Sequence, residues 1–311
     1  MKTQRGIALV LVLWMVVLLA VIAGALGTTS RSGVAMITNL RQEHQARALV
    51  EAGLRFMMLQ LAWRNLPAED NPWPADGRLH PWDFAGQRIW IGAQPENARL
   101  GLNVVDEKQL GRLLQALGLP DEQAEALRDA ILDWRDADDG RRPQGAEDED
   151  YRAAGRPLGA RDAPFAAVEE LRQVLGMNDA IYARLAPMLT LYNGQRTVNP
   201  AFAPRELLLS APGMDETLVD QYLAARDQAR RQGEPVPPPP AGGAVLRMIQ
   251  GTSYRVFAEV DTPGGFKVQG ELVVNTQSRT PHGYRILDRR WGPFEAPPRV
   301  APESDDPAEP R

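Results

Sequence analysis

The distribution of apolar positions first separates an N-terminal segment from the rest of the chain. From Ile7 to Gly27 the sequence contains no charged residue and no proline. At a rise of about 1.5 Å per residue, a helix of this length spans the roughly 30 Å hydrocarbon core of a bilayer. Lys2 and Arg5 precede the segment, and such flanking cations favour a cytoplasmic N-terminus. The pattern therefore predicts a membrane anchor with the remaining residues on the far side of the membrane.

Two alternatives compete for this segment. One is a cleavable secretory signal with an A-x-A site at Ala23-Gly24-Ala25, although the apolar stretch is long for that class. The other is an ordinary signal anchor.

The helical pattern continues beyond the apolar segment. Apolar residues recur at spacings of three and four. They are Val34, Ile37, Leu40, Ala48, Ala52, Phe56, Leu59 and Trp63, and His44 lies on the same stripe. No proline occurs before Pro67, so the sequence predicts one helix from Ile7 to about Asn65, about 90 Å long.

The remaining pattern predicts a small sheet interrupted by helices. Two strands, 87–92 and 99–104, are joined by the turn residues 94–97, and further strands are expected at 254–260, 266–275 and 284–291. Short helices fill 106–232, and a proline-rich linker follows at 233–243. We expect an α+β fold in which the sheet packs on the C-terminal half of the long helix.

Three weak repeats lie within the helical part, around Gly118, Gly176 and Gly213. Each consists of a helix, a glycine turn, an acidic N-cap and a second helix, similar to helix-hairpin-helix or SAM-like units. Such units give an alternative function, a membrane-anchored periplasmic DNA-binding (competence-like) protein. The acidic residues Asp121, Asp179 and Asp215 after these turns would repel phosphate, so protein contact is the preferred interpretation.

Composition narrows the function classes. The formal net charge is −5 and the pI about 5.4, which argues against nucleic acid as a partner. The chain has no cysteine, and its three histidines are far apart in sequence. There is no H-E-x-x-H, G-x-S-x-G or P-loop motif, so we do not expect an enzyme.

One acidic segment has the composition of a cation site. Two carboxylate-rich stretches, 133–140 and 145–151, flank a short turn. The candidate ligands are Asp133, Asp136, Asp138, Glu147 and Asp150. Counted from Asp136, Asp138 and Glu147 fall at places three and twelve of an EF-hand-like loop, but Gly140 comes one place too early. Dense hard oxygen ligands predict structural Ca²⁺, and the alternative is a solvated acidic loop.

The leader, the helix and the acidic segment together resemble one known family. A short basic leader ending in Gly6 before an apolar helix is similar to the signal of type IV pilins and type II secretion pseudopilins, and residues 46–53 resemble their helix motif. Most pilins carry glutamate five residues into the mature chain, where this sequence has Leu11. Leucine there, together with a large head and the D-W-x-D-x-D-D and G-A-E-D stretches, resembles the minor pseudopilin K (GspK) group of the type II secretion system.

The resemblance implies a processing site, a fold and an assembly. A prepilin peptidase would cleave between Gly6 and Ile7, and Ile7 would be N-methylated. The fold would be type IV pilin-like with a large inserted all-α domain that binds calcium. The protein would sit in the inner membrane with its bulk in the periplasm, at the tip of the pseudopilus that it initiates and caps during export of folded proteins. Its partners would be minor pseudopilins of the I and J types, with the H type as a further candidate, and the major pseudopilin.

The predicted organisation has seven parts. They are a leader (1–6), a membrane and spine helix (7–65), a first β part (66–105), a helical domain (106–232), a linker (233–243), a second β part (244–294) and a disordered tail (295–311).

Overall fold

A 58-residue helix, α1 (Arg5–Ala62), forms the N-terminal part of the fold. The computed structural model describes residues 5–62, 73–262, 265–277, 283–294 and 296–300, and within α1 it describes the side chains of residues 9–22 and 40–62. The helix agrees with the predicted one up to Ala62, and residues 63–65 lie outside the described part. Among the described residues, no helix has the length and continuous apolar character that crossing a bilayer requires.

The C-terminal third of α1 packs against a sheet through one row of side chains. The buried residues at helical spacing are Ala46, Val50, Leu54, Met57 and Leu61. The helix and the sheet approach closely at two glycines. A Cβ on Gly53 would lie 2.8 Å from Cγ2 of Ile91, and one on Gly270 would lie 2.7 Å from Cγ1 of Val50. Larger residues at these positions would force the two layers apart.

Part of the apolar row predicted for α1 lies away from the sheet, although Ala52 and Phe56 in it are half-buried. Leu40 and Leu59 are 45% and 44% exposed, and His44 and Ala48 are also exposed. The helix carries a second apolar row on the opposite side, beginning at Ala46, and the sheet covers that row. Because the two rows are about two residues apart, or roughly 200° around the helix, periodicity reveals both apolar sides but does not decide which one the sheet covers.

Five antiparallel strands form the sheet, in the order β1-β2-β5-β6-β7. They are β1 (His80–Phe84), β2 (Gln87–Pro95), β5 (Ser253–Asp261), β6 (Lys267–Asn275) and β7 (Arg285–Trp291). The predicted strands at 87–92, 254–260, 266–275 and 284–291 are confirmed. β2 pairs with β1 on one side and with β5 on the other, with Ile89 opposite Val260.

The strands predicted at 87–92 and 99–104 are not joined by a turn into one sheet. Residues Glu96–Ala98 form a short 3₁₀ helix, and the following strand β3 (Leu100–Gly101) pairs in parallel with β4 (Leu189–Thr190). The chain therefore leaves the sheet after β2 and returns to it only at β5.

Helices occupy the chain between these two strands. They are α2 (Glu107–Ala116), α3 (Asp121–Arg135), α4 (Asp148–Ala153), α5 (Asp179–Leu185), α6 (Arg205–Leu209) and α7 (Glu216–Gln232). Their apolar residues form a core of their own, separate from the core between α1 and the sheet.

The three predicted glycine turns are present in this helical region. Gly118, Gly176 and Gly213 all have positive φ angles, between 76° and 83°, a conformation that glycine adopts readily. The expected acidic N-cap is found only before α7, where Asp215 accepts the N–H of Leu218. Pro120 precedes α3 and Asn178 caps α5.

A buried charged network joins the sheet to the helical region. Arg255 on β5 donates to Glu96 (Nε to Oε1, 2.6 Å) and to Glu271 on β6. Glu96 also accepts the hydroxyl of Thr190 on β4. Glu96 and Glu271 are 2% and 5% exposed, so both carboxylates need charge compensation; Arg255 serves both, and Arg99 lies 3.8 Å from Oε1 of Glu96.

The C-terminal segment (residues 292–294 and 296–300) crosses the face of the sheet opposite α1. Phe294 packs on Phe257 with ring centroids 6.0 Å apart. Arg299 pairs with Glu259 (2.6 Å) and Asp261 (2.8 Å). Backbone hydrogen bonds join Leu79 to Pro298 and Val300 next to β1. Residues 296–300, which the sequence assigned to a disordered tail, are thus held against the sheet, and residues 301–311 lie outside the described part.

Candidate functional site

The acidic segment comprises the end of α3, the loop after it and the start of α4. Asp133 is in the last turn of α3 and is completely buried. Trp134, next to it, contacts Tyr151 of α4 and Phe165, with ring centroids 5.5 Å and 6.3 Å apart. Arg135 holds the end of α3 through hydrogen bonds to backbone carbonyls of residues 102 and 105. The end of α3 and the start of α4 are therefore fixed by apolar packing beneath the carboxylates.

Arg142 occupies the centre of the loop. Its Nη1 atom lies 2.5 Å from Oδ1 of Asp133 and 2.5 Å from Oδ2 of Asp136. Its backbone N–H also donates to Oδ2 of Asp133, at 3.2 Å. Although burial lowers the pKa of Arg142, its hydrogen bonds with Asp136 and Asp133 raise the pKa overall. The guanidinium is thus a firmly charged partner of both aspartates.

Gly145 allows the turn to fold onto Asp133. A Cβ on this glycine would lie 1.8 Å from Oδ2 of Asp133, far inside van der Waals contact. The absence of a side chain at residue 145 is therefore what lets the second acidic stretch approach the first.

Several carboxylate oxygens near Arg142 remain without a partner. Oε1 of Glu147, Oδ1 of Asp136 and Oδ1 of Asp162 are buried and accept no hydrogen bond from the described residues. Glu147 as a whole is only 7% exposed. An unpaired buried carboxylate oxygen is costly, so these three atoms mark a place where positive charge would be favourable.

The pKa shifts of Glu147 and Asp162 also indicate excess negative charge around the unpaired oxygens. Burial raises the pKa of Glu147, and the charges of Asp133, Asp162, Asp136 and Asp139 raise it further, to about 7. Burial also raises the pKa of Asp162, together with the charges of Asp139, Asp148 and Asp136. Arg142 therefore does not neutralise the whole cluster.

The five predicted ligands take different places. Asp133, Asp136 and Glu147 are brought together. Asp138 accepts the N–H of Gly140 in an exposed turn, at 2.9 Å. Asp150 accepts the N–H of Glu147 at 3.0 Å and pairs with Arg141 at 3.1 Å, so it serves the first turn of α4.

Asp162 is the residue that sequence reasoning missed. It lies beyond α4, in a stretch without a helix or strand, and has a left-handed φ of 54°. No motif links it to the loop before α4, because its position there depends on the packing of Phe165 against Trp134.

The donor set fits a hard cation, but the side chains do not enclose one. Among the described residues, no three aspartate, glutamate, histidine or cysteine side chains converge closely enough to hold a metal ion. Like charges repel one another, and Arg142 already lies between two of the carboxylates. The unpaired oxygens of Asp136, Glu147 and Asp162 are of the ligand type that Ca²⁺ prefers.

The processing residues Gly6 and Ile7 lie in the first turns of α1, and their surroundings are outside the described side chains. Cleavage between them stays a prediction.

A similar solved structure and a matching family model first show the class of protein. The crystal structure of the GspK-GspI-GspJ complex from the type 2 secretion system of enterotoxigenic Escherichia coli contains a similar chain, with a TM-score of 0.54 and 19% identity. The likeness covers 85% of this chain and 99% of that one, and at this identity it shows a shared fold of helix and antiparallel sheet. Residues 93–194, which include the acidic loop, match the family model described as type II secretion system protein K. The chain is thus similar to components of a protein-secretion machine.

Relatives that match over most of their length show which family the chain belongs to. The type II secretion system protein K of Pectobacterium carotovorum is 31% identical over 260 residues, covering 74% of this chain and 76% of the relative. Those of Klebsiella pneumoniae and Pseudomonas aeruginosa are 30% and 28% identical, covering 72% and 70% of this chain and 75% and 72% of the relatives. The chain belongs to the type II secretion system protein K family, which confirms the resemblance drawn from the sequence.

Proposed function

We propose that the chain is a structural, non-enzymatic minor pseudopilin at the tip of the type II secretion pseudopilus. The supporting observation is the division of α1 into two parts. Its C-terminal third is buried on the sheet, whereas its N-terminal apolar side chains are exposed, for example Leu9 at 76% and Trp14 at 72%. Exposed apolar side chains along a helix need a cover. In this proposal the inner membrane covers them first, and the helices of neighbouring pseudopilins cover them after assembly.

The fold supports a tip position within that assembly. The proposed architecture is type IV pilin-like, with an inserted all-α domain between β2 and β5. Leu11, in place of the usual glutamate, leaves no carboxylate to pair with the N-terminus of a neighbouring subunit. A subunit at the end of a filament has one axial neighbour fewer, and its bulky helical region would hinder a further subunit. The proposed partners are the I-type and J-type minor pseudopilins and the major pseudopilin, with the H type as a further candidate.

The N-terminus of the mature protein gives the sharpest test of processing. Mass spectrometry of the chain isolated from membranes should find N-methylated Ile7. Gly6→Val should leave the leader attached, whereas the matched change Gly24→Val should not alter processing. A mature chain that begins at Leu26 would instead identify a cleaved secretory signal and refute the anchor.

The tip position has its own test. Cells lacking this chain should form fewer pseudopili when the major pseudopilin is overproduced, and the full-length chain should cross-link to the I-type and J-type subunits. Unchanged pseudopilus number, with no cross-link, would contradict the proposal. The DNA-binding alternative gains nothing from the comparisons, and its glycine turns are followed by acidic residues.

We further propose that the acidic loop holds a structural Ca²⁺. The orphaned Oε1 of Glu147 carries this proposal: the side chain accepts the N–H of Asp150, but Oε1 is buried without a partner, and positive charge nearby would stabilise it. Of the other predicted ligands, Asp136 has a free oxygen, whereas Asp133, Asp138 and Asp150 would have to leave or share their present hydrogen bonds. Bound Ca²⁺ would offset the repulsion among these carboxylates and fix the loop.

Melting of the full-length chain in detergent tests this site. At a free Ca²⁺ concentration of about 100 Kd, binding stabilises the folded state by about 2.7 kcal/mol, so Tm should be higher in Ca²⁺ than in chelator. Glu147→Gln should abolish most of the shift. Glu149→Gln, an exposed neighbour in α4, is the matched control. Equal melting in Ca²⁺ and chelator, with no metal detected by elemental analysis, would remove the site.

A further inference from the structure

A groove lies beside α1 at one end of the sheet. It is bounded by residues 42–49 of α1, by the β1–β2 hairpin near Phe84 and by the end of β5 at residues 260–262. The hairpin and the end of β5 meet there because Ile89 of β2 pairs with Val260. The groove, of about 520 Å³, is here called the hairpin groove. From this end of the sheet α1 runs on towards its exposed apolar residues 9–22.

An aromatic stack holds one wall of the hairpin groove in place. Phe84 stacks on Trp82, with ring centroids 4.8 Å apart, and Trp82 stacks on Phe56 of α1 at 4.4 Å. Phe84 is nevertheless 44% exposed. A ring that is already held rigidly loses little conformational entropy when another molecule covers it, so this wall is preorganised for binding.

The hairpin turn contains an alanine in a conformation that suits other residues better. Ala85 and Gly86 have φ angles of 52° and 72°, so both central residues of the two-residue turn are left-handed. Asparagine, aspartate or glycine is preferred at the first of these positions, and alanine is strained there. Ala85 also lines the hairpin groove. Backbone strain of this kind is concentrated at binding sites, and here it coincides with a small apolar side chain in the groove.

The hairpin groove is neutral, unlike the opposite flank of α1. Of the described residues that line it, Asp261 alone carries a charge, and Arg299 compensates that charge at 2.8 Å. On the flank that faces β7, Glu51 of α1 pairs with Arg289 at 3.1 Å. An occupant with an apolar, uncharged face therefore fits the hairpin groove and does not fit the flank beside β7.

The position of the groove along α1 indicates the kind of occupant. N-terminal to the groove, α1 exposes apolar side chains such as Leu9 and Trp14, which helices of neighbouring subunits cover in the proposed assembly. A helix that lies alongside this part of α1 reaches the sheet at one of the two flanks of α1, and the neutral flank is the hairpin groove. An amphipathic helix with its apolar face in a hydrophobic groove is a recurring mode of recognition between proteins.

We propose that the hairpin groove receives the apolar face of the N-terminal helix of a neighbouring minor pseudopilin. The charged flank beside β7 stays free of this helix. The inference rests on the proposed function, because it requires a neighbouring subunit, and it adds which face of this chain that subunit contacts.

Single cysteines test the contacted face, because the chain has no cysteine of its own. Gln45→Cys lies in the hairpin groove, and Ile286→Cys, at a residue 43% exposed on β7, is the matched control. Each variant is produced in membranes with an I-type or J-type subunit that carries one cysteine, placed in turn along its N-terminal helix. A short bismaleimide should cross-link Gln45→Cys to the helix of one of these subunits and leave Ile286→Cys unlinked.

Ala85→Asn separates binding of the neighbouring subunit from folding. Asparagine suits a left-handed backbone, so the Tm of the full-length chain in detergent should equal or exceed that of the wild type. In the occupied groove the new amide loses water without gaining a partner, so the Kd for the cross-linked subunit should be at least about fivefold weaker. Gly86→Asn adds the same side chain where a Cβ meets nothing within 4 Å, and should change the Kd by less than about twofold. An unchanged Kd for Ala85→Asn would overturn the proposal.

The cross-linking outcomes also distinguish this inference from the proposed function. If Ile286→Cys is linked to these subunits and Gln45→Cys is not, the assembly stands and the role of the groove is refuted. A link between two Gln45→Cys chains would show that a second copy fills the groove, which also refutes it. If neither position is linked, the role of the groove fails, and the proposed function fails with it only if cells lacking this chain keep their number of pseudopili.

Discussion

Replacing Arg255 by methionine removes the only guanidinium that joins Glu96 to Glu271 among the described residues. Methionine keeps much of the apolar volume of the arginine stem, so the change is mainly one of charge and hydrogen bonding. The two carboxylates it leaves behind are 2% and 5% exposed, and neither can be hydrated without opening the junction between the sheet and the helical region.

The expected loss of folding stability in Arg255→Met follows from the burial of these two carboxylates. Removing one partner of a buried ion pair typically costs about 3–5 kcal/mol. Arg255 serves two carboxylates, which favours the upper part of this range. Arg99 partly compensates, because its Nη1 lies 3.8 Å from Oε1 of Glu96. We therefore expect a loss of about 4 kcal/mol, which for a chain of this size lowers Tm by on the order of 10 °C.

Thermal and urea unfolding of the full-length chain in detergent, with circular dichroism, measures the effect. Arg88→Met is the control, because Arg88 makes a similar ion pair with Asp83 on the exposed β1–β2 hairpin, and it should melt as the wild type does. Replacing Arg255, Glu96 and Glu271 together by uncharged residues should restore most of the loss, since no unpaired charge remains. The reasoning is refuted if Arg255→Met is no less stable than Arg88→Met.

Three further outcomes are expected. Burial alone would raise the pKa of Glu96, but the charges of Arg255 and Arg99 lower it below the usual range. The stability that ionised Glu96 contributes is therefore complete above the ordinary carboxyl pKa and is lost as the pH falls through the lowered pKa. Glu96→Gln should flatten the acid side of a Tm–pH profile, and an unchanged profile would contradict this. Gly145→Ala should lower Tm by displacing the buried carboxylate of Asp133. Gly111→Ala, where a Cβ meets only the Arg128 side chain at 3.4 Å, should leave Tm unchanged or higher. Equal effects of the two changes would argue against the close approach of Gly145 to Asp133. Arg299→Ala should lower Tm by freeing the C-terminal segment from Glu259 on the sheet, and limited proteolysis should then cut that segment faster than in the wild type.

The elements that sequence reasoning predicted are those that depend on local signals. The β5–β6 hairpin was found because two alternating runs flank a Pro-Gly-Gly turn at 263–265, and α1 because its helical pattern contains no proline. The partner of β2 was missed because Ile89 pairs with Val260, far along the chain, and nothing in either strand specifies the other.

The candidate site divides in the same way. Asp133, Asp136 and Glu147 are close in sequence, and a dense acidic stretch reveals them directly. Asp162 and the bridging role of Arg142 depend on how α3, α4 and Phe165 pack, which composition does not show. The sequence also could not separate ligands from capping residues, because Asp150 has the right chemistry but is used at the start of α4.

The return of the chain from β2 to β5 has a consequence for the order of folding. The contacts within α2 to α7 connect residues that are nearer in sequence than the two strands are, and local contacts form faster than those that close long loops. After synthesis of β2, one edge of that strand has no neighbour until β5 emerges. The parallel pairing of β3 with β4 and the hydrogen bonds between Val198 and residues 245 and 247 bring the two ends of the helical region together. Early folding of this region would therefore shorten the loop that β5 must close, and would limit the time during which an unpaired strand edge is available for aggregation.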